Sequence, residues 1–324
     1  MRLTSFLSCL PAFFIDHSHK ISGTRMQSTA KVSGQSYYDL MPPASLAVGD
    51  IWSGLPAFGH LRRESCGGIV ITPACDLSNR KAETVTYLPV ISVEDYLVSR
   101  AFSPEMVRVV KGQMGPAGLD LADGWQIKGV DLPELPIIRA ALGDAEKVLA
   151  SGAGAKAKIA AGRVVSAARV LLGARGVIQY VGAAEVRIAL GDKEYVRCMS
   201  EICRNAYSSD IHFLPCDGRV GVHSAMERHS LVLFRYPMAL PVELLHAAND
   251  VAVVDWESAV AQLGSEFPVV INAIRTRPMR VAMLRSRFLP DLLSRFAALH
   301  IRMGSPDFTP ETIESFVQDL GDFR

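Results

Sequence analysis

The sequence predicts an α+β fold, a small β-barrel or compact sheet that a long helical insertion interrupts and a C-terminal helix follows. Three observations lead there. Three strand-like runs fall within about 45 residues near the start, a density that argues for a small closed or compact sheet. From residue 96 the chain turns to alanine-rich helical periodicity, and strand signals return after residue 210.

The elements follow in order. "MPPASLAVGDIWSGLP" leads through Gly49-Asp50, a turn pair, into a strand around Val48 to Ser53, because Ile51 and Trp52 suit a pleated surface. "GGIVIT" is a second strand and "ETVTYLPVIS" a third, with apolar residues alternating. Ser92 stands three residues before Asp95, the spacing of a capping box, so a helix begins there and runs to Gly112 with a break at Pro104. Residues 112–136 are rich in Gly and Pro and read as an irregular connection, after which residues 135–176 carry helical periodicity. "GVIQYVGAAEVRIALGDKEYVRCMSEICRNAY" is compatible with two strands around Gly182 or with continued helix. "DIHFLP" and "HSLVLFRYPM" are strands, and "VAMLRSRFLPDLLSRFAALHIRM" places Leu284, Phe288, Leu292, Phe296 and Leu299 on one helical face, with Pro290 starting or kinking its second half. The expected organisation is an extension over 1–45, barrel strands over 46–95, a helical insertion over 96–209, the rest of the barrel and its helix over 210–304, and a tail over 305–324.

Composition narrows the function classes. At 324 residues and 49% hydrophobic, the chain has enough apolar surface for a core without disulfide staples. A net charge of +1 gives no overall argument for nucleic acid or an acidic membrane, so any such argument is local. Six cysteines without a CxxC pair or regular spacing fit reduced thiols and a cytoplasmic protein. The first 25 residues hold a short apolar stretch broken by Pro11, with Met26 as an alternative start, and read as a disordered or mis-started extension. No segment reaches the length of a membrane span, which predicts a soluble protein without a membrane partner.

Cys75-Asp76, directly after the "GGIVIT" strand, is the sharpest local feature. A thiol in a loop bearing Asn79, Arg80 and Lys81 is a candidate nucleophile, and His212 is the candidate base, with Asp76 or Asp210 orienting the ring. The plainer account is a small residue followed by a turn-starting acid. Cys75, Cys203, His212 and Cys216 have zinc-ligand chemistry but no compact zinc spacing, and the glycine-lysine stretch "GAGAKAK" lacks the spacing of a phosphate loop, so neither a metal nor a cofactor is expected. Arg275, Arg277, Arg280, Arg285, Arg287, Arg295 and Arg302 are opposed over their stretch by Asp291 alone. That cationic run suits a phosphate backbone or an acidic partner, or else a solvated face pairing with the acidic tail.

"VGDIW", Gly59-His60, "GGIVITP", Ser78-Asn79, "VTYLPVIS" and "IRTRPMRVAMLRSRFLPDLL" together resemble PemK/MazF-type ribonuclease toxins over residues 47–93 and 271–299. The resemblance implies an SH3-like barrel and an RNA-acting or RNA-binding protein, an endoribonuclease of toxin–antitoxin or phage-defence type that can pair as a homodimer. It departs from the pattern where Gly67-Gly68 replaces the Arg-Pro that supplies the toxins' phosphate-facing arginine. Ser92 matches the hydroxyl position, and Arg62 or Arg63 would serve the phosphate, with Arg275, Arg277, Arg280, Arg285 and Arg287 steering the strand. A strand followed by "CDL" is also similar to an uncharacterised family of bacterial proteins, which implies no activity. Two other readings stand beside the RNA one: a cysteine-dependent hydrolase built on Cys75, Asp76 and His212, and a partner-binding module without catalysis whose interface is the helical insertion.

Overall fold

A computed structural model describes residues 33–40, 45–57, 61, 65–79, 81–127, 131–219, 224–250, 252–253, 255–264, 276–300 and 309–312. Its frame is one antiparallel sheet of β1 (Tyr38–Asp39), β2 (Asp50–Pro56), β3 (Ser65–Val70), β4 (Thr84–Ser92), β5 (Ile211–Leu214), β6 (Ser230–Leu233), β7 (Met238–Pro241) and β8 (Met279–Leu284). The order is β1-β8-β2-β3-β4-β6-β5, with β7 also on β4. Strands from both ends of the chain therefore lie side by side, Ile51 of β2 opposite Ala282 of β8 and Val90 of β4 opposite Val232 of β6.

The nine residues of β4 organise the layers, because successive side chains of a strand point to opposite faces. Val85 and Tyr87 join Trp52, Leu55 and Val70 on one face, under α8 (Val242–Asn249). Leu88 and Val90 join Ile51, Ile69 and Val232 on the other, under Leu292 of α10 (Leu289–His300). Near the end of β4, Ile91 passes into a third cluster formed with the helical insertion. Two neighbouring strands also explain Gly68: a Cβ there would fall 2.6 Å from Leu55 Cδ1 and 2.7 Å from Tyr87 Cδ2.

The sheet is open, and this corrects the expectation of a closed barrel. Among the described residues no ladder joins β1 to β5. The far edge of β4 is divided between β7, which pairs with Thr84–Tyr87, and β6, which pairs with Val90–Ser92, so strands branch there rather than continuing round a ring. Curl still brings the two edges together, and the Tyr38 hydroxyl donates to the Pro215 carbonyl at 2.7 Å. A second correction concerns the C-terminal segment: "MRVAML" is β8, and helix begins only at Leu289. Pro290 then occupies the first turn, where its missing N–H leaves no bond unmade.

The helical insertion comprises α2 (Val93–Leu97), α3 (Ser103–Gln113), α4 (Leu135–Ala150), α5 (Ala155–Ala174), α6 (Ala183–Leu190) and α7 (Asp192–Cys203). Ser92 caps α2, as its spacing predicted, and Pro104 starts α3 instead of breaking a longer helix. Around Gly182 neither alternative holds in full: residues 175–182 form an irregular connection, and α6 begins directly after Gly182. α5 is the central rod: Ala160, Ala161, Val164, Ala167, Ala168 and Leu171 are buried, and these small and medium side chains let the neighbouring helices approach it. Two residues past α7, Asn205 holds a left-handed φ of 56°. Ala206 N–H closes back on Glu201 O at 2.9 Å, the Asn205 Oδ1 accepts from Phe213 N of β5 at 2.6 Å, and Arg295 of α10 donates to the Asn205 carbonyl at 3.1 Å. One residue thus ties the insertion to the sheet and to the C-terminal helix.

Candidate functional site

Arg62, Arg63 and Arg275 lie outside the described residues. The hydroxyl of Ser92 has a structural partner set: its Oγ accepts from Asp95 N at 3.1 Å and donates to Asp95 Oδ2 at 2.5 Å. Cys75 and Asp76 sit on α1 (Ala74–Ser78), where the exposed thiol is 3.5 Å from Asp76 Oδ1 and Leu77 anchors the turn in the cluster around Tyr87. His212 is buried on β5 opposite Val232, which faces the other side of the sheet. α1 also adjoins the start of β4, whereas β5 reaches the sheet through β6 at the end of β4. The structure does not bring Cys75 and His212 together.

His212 has a different setting. Burial pushes its imidazole down to about 4, against the upward pull of Asp291, whose Oδ2 is 3.8 Å from Nδ1. Nδ1 has no hydrogen-bond partner among the described residues. A neutral ring packed 6.3 Å from Phe234 under α10 is a core group, not an accessible base.

The arginines of β8 and its flanks hold the chain together. Arg277 donates from Nε to Ala248 O at 2.9 Å, from Nη1 to Val253 O at 2.7 Å and from Nη2 to Asp250 O at 2.5 Å, closing the carbonyl end of α8. Arg280 forms a buried ion pair with Asp50 at 3.0 Å and also donates to Ser45 O at 2.9 Å. Burial raises the Asp50 carboxyl, while the Ala47 N–H and Arg280 pull it back down. Arg285 and Arg287 donate to Tyr38 O and Ser36 O, each at 3.0 Å, and Arg287 also lies over the Phe288 ring. Among the described residues, Arg277, Arg280, Arg285 and Arg287 are thus tied to backbone carbonyls of other segments.

A cysteine–histidine pair does exist elsewhere: Cys216 Sγ lies 3.7 Å from His229 Nε2. The Cys216 backbone N–H donates to His229 Nδ1 at 3.0 Å. With Nδ1 engaged as acceptor, a neutral ring carries its hydrogen on Nε2 and donates toward sulfur. His229 is therefore not placed to take the thiol proton. Buried Asp217 organises this loop by accepting from Arg219 N, Ser224 Oγ and Ala225 N. Burial pushes its carboxyl up, but these contacts, the Ala225 and Arg219 N–H groups most of all, hold it below the usual range. Among the described residues no cluster of His, Cys, Asp or Glu is arranged to hold a metal ion, and no helix is long and apolar enough to cross a membrane.

What sequence reading missed lies on the helical layer. Residues 147–184 carry six cations, Lys147, Lys156, Lys158, Arg163, Arg169 and Arg175, and no acid. Lys147 pairs with Asp144, Arg169 with Glu146 and Glu185, and Arg175 donates to Leu132 O. Lys156, Lys158 and Arg163 have no partner among the described residues. Seven of the eight large apolar side chains exposed among the described residues also belong to residues 96–209, including Ile159 at 61%, Ile188 at 53%, Val196 at 64% and Tyr180 at 86%. Ile159 precedes Arg163 by one turn on the same face of α5, and Arg163 packs on Gly191, between α6 with Ile188 and α7 with Val196. A cleft of about 910 Å³ lies between α2 and the α5–α6 connection that bears Tyr180. A second, of about 740 Å³, opens on the sheet beside Ile51, Gly67, Val90 and Met226.

Comparison of the chain with protein-family models, with curated proteins and with solved structures finds no match.

Proposed function

We propose that this chain is a binding module that engages an acidic, partly apolar protein segment through α5, α6 and α7, without catalytic chemistry of its own. The observation that carries the reading is that α5 bears Lys156, Lys158 and Arg163, unpaired among the described residues, with exposed Ile159, and that α6 and α7 expose Ile188 and Val196. Apolar side chains left in water are a binding feature when they cluster, and unpaired cations around them select for acidic neighbours. Ile and Val offer no stacking platform for bases, which favours protein over RNA at this surface. Among the described candidates, Ser92 caps a helix, His212 is a core group, and Arg277 and Arg280 hold backbone, which favours binding over catalysis.

Site-specific photocrosslinking in cells tests this. A benzoylphenylalanine in place of Ile159 or Val196 is expected to capture a protein whose crosslinked peptide is net acidic, with yield falling several-fold in a Lys156→Glu/Lys158→Glu background. The same group in place of Met279, the exposed apolar residue of β8, is the control and captures little. RNA at positions 159 and 196, or equal capture at 279, would replace this reading with another.

A further inference from the structure

One pocket on the helical layer has a chemistry of its own. It encloses about 420 Å³ between α3, α5 and the α6–α7 junction, and Arg108, Arg163, Arg197 and Glu194 line it, with Val109, Gly112 and Leu190 as its less polar wall. Arg108 is held by Glu105, and by Glu194 at 3.3 Å. Arg197 is held by Glu194 through Nε at 3.0 Å and by Glu201 at 2.8 Å. None of these carboxylates reaches Arg163. Its guanidinium, half-buried, lies against Gly191 so closely that a Cβ there would fall 2.5 Å from Nη2. Gly191 has a φ of 77°, so both the backbone and the arginine require glycine at this position. α7 starts immediately after it without a side-chain cap.

An arginine cannot shed its charge, and a guanidinium partly withdrawn from water with no protein partner among the described residues is open to an anion. Glu194 engages Arg108 and Arg197 rather than Arg163.

We propose that this pocket is a binding site for a phosphate-class oxyanion, with Arg163 as the residue that grips it and Arg108 as its second donor. The volume suits a phosphate group and a small substituent, and is far too small for a duplex. Arg163 also belongs to the docking surface, so the pocket shares that reading's cation, but titration with a free anion tests the pocket whether or not a protein partner is captured.

The test is titration calorimetry of the full chain with inorganic phosphate at constant ionic strength, balanced with chloride. One saturable site per chain is expected, weakened about 10-fold or more in Arg163→Gln, the loss of one charge-assisted contact. Arg163→Lys should fall between the two, because it keeps the charge and loses the fork. Arg139→Gln, an exposed change on α4, should bind like the parent. A ribonucleoside monophosphate binding more tightly than phosphate would mark the ligand as a phosphorylated small molecule, and equal binding would mark it as phosphate itself. Absence of a saturable site in the parent, or equal binding by parent and by an Arg163→Gln variant with unchanged circular dichroism, overturns the proposal.

Discussion

The sheet and the helical layer both carry runs of cations, and they use them in opposite ways. Around β8, Arg277, Arg280, Arg285 and Arg287 all donate to backbone carbonyls of segments far away in sequence. On α5, Lys156, Lys158 and Arg163 have no partner among the described residues. A sheet whose neighbours come from opposite ends of the chain leaves many carbonyls at helix ends and strand margins, and a guanidinium fork can satisfy several at once. A helix meets its interior carbonyls within itself, so its cations stay available. Charge density in a sequence therefore indicates an interface only once the donors are known to lack partners.

If that contrast holds, changes in the sheet should cost stability and changes in the helical layer should not. Asp50→Ala should show the largest effect, about 3–5 kcal/mol in urea denaturation, since it strands the Arg280 charge in a site where both partners are almost fully buried. Next comes pH. Burial lowers His212 from 6.5 to about 4, so between those values the unfolded chain binds a proton that the folded one refuses. Its contribution of about 3 kcal/mol is complete above pH 6.5 and is lost as pH falls toward 4. His212→Leu should flatten that part of the stability profile relative to the parent.

Arg277→Ala should cost about 1–3 kcal/mol by orphaning the carbonyls at the end of α8, with hydrogen exchange in Val242–Asn249 rising in parallel. Smallest of all, Lys156→Glu and Ile159→Asp should leave the unfolding free energy from urea denaturation within about 0.5 kcal/mol of the parent, because neither side chain packs in the core. A large loss from either would mean that the helical surface is structural after all.

Much of the fold was legible because local chemistry agreed with it. Gly49-Asp50 before Ile51-Trp52, the alternation in "ETVTYLPVIS" and the Ser92–Asp95 spacing each act within a few residues, and each produced the element expected. Openness of the sheet was not legible, since it depends on β6 and β7 sharing one edge of β4 across some 150 residues of chain. "VAML" misled because its apolar spacing continues in phase with the helix after Pro290, and pairing with β2 overrides that local pattern. The site was harder still. Cys75 and His212 looked like partners by residue type alone, whereas the pair that forms, Cys216 with His229, depends on how the loop after β5 turns back onto β6. The acid-free stretch from 147 to 184 was visible in the letters throughout, but only exposure and partner lists separate Arg163 from Arg169 and Arg175.

The division of labour between the two regions is best tested by stability and crosslinking on the same two variants, Arg277→Ala and Lys156→Glu/Lys158→Glu, each carrying benzoylphenylalanine at position 159. The account predicts a lower urea midpoint with capture retained for the first, and an unchanged midpoint with capture lost for the second. The reverse pattern, with Arg277→Ala abolishing capture at unchanged stability, would contradict it.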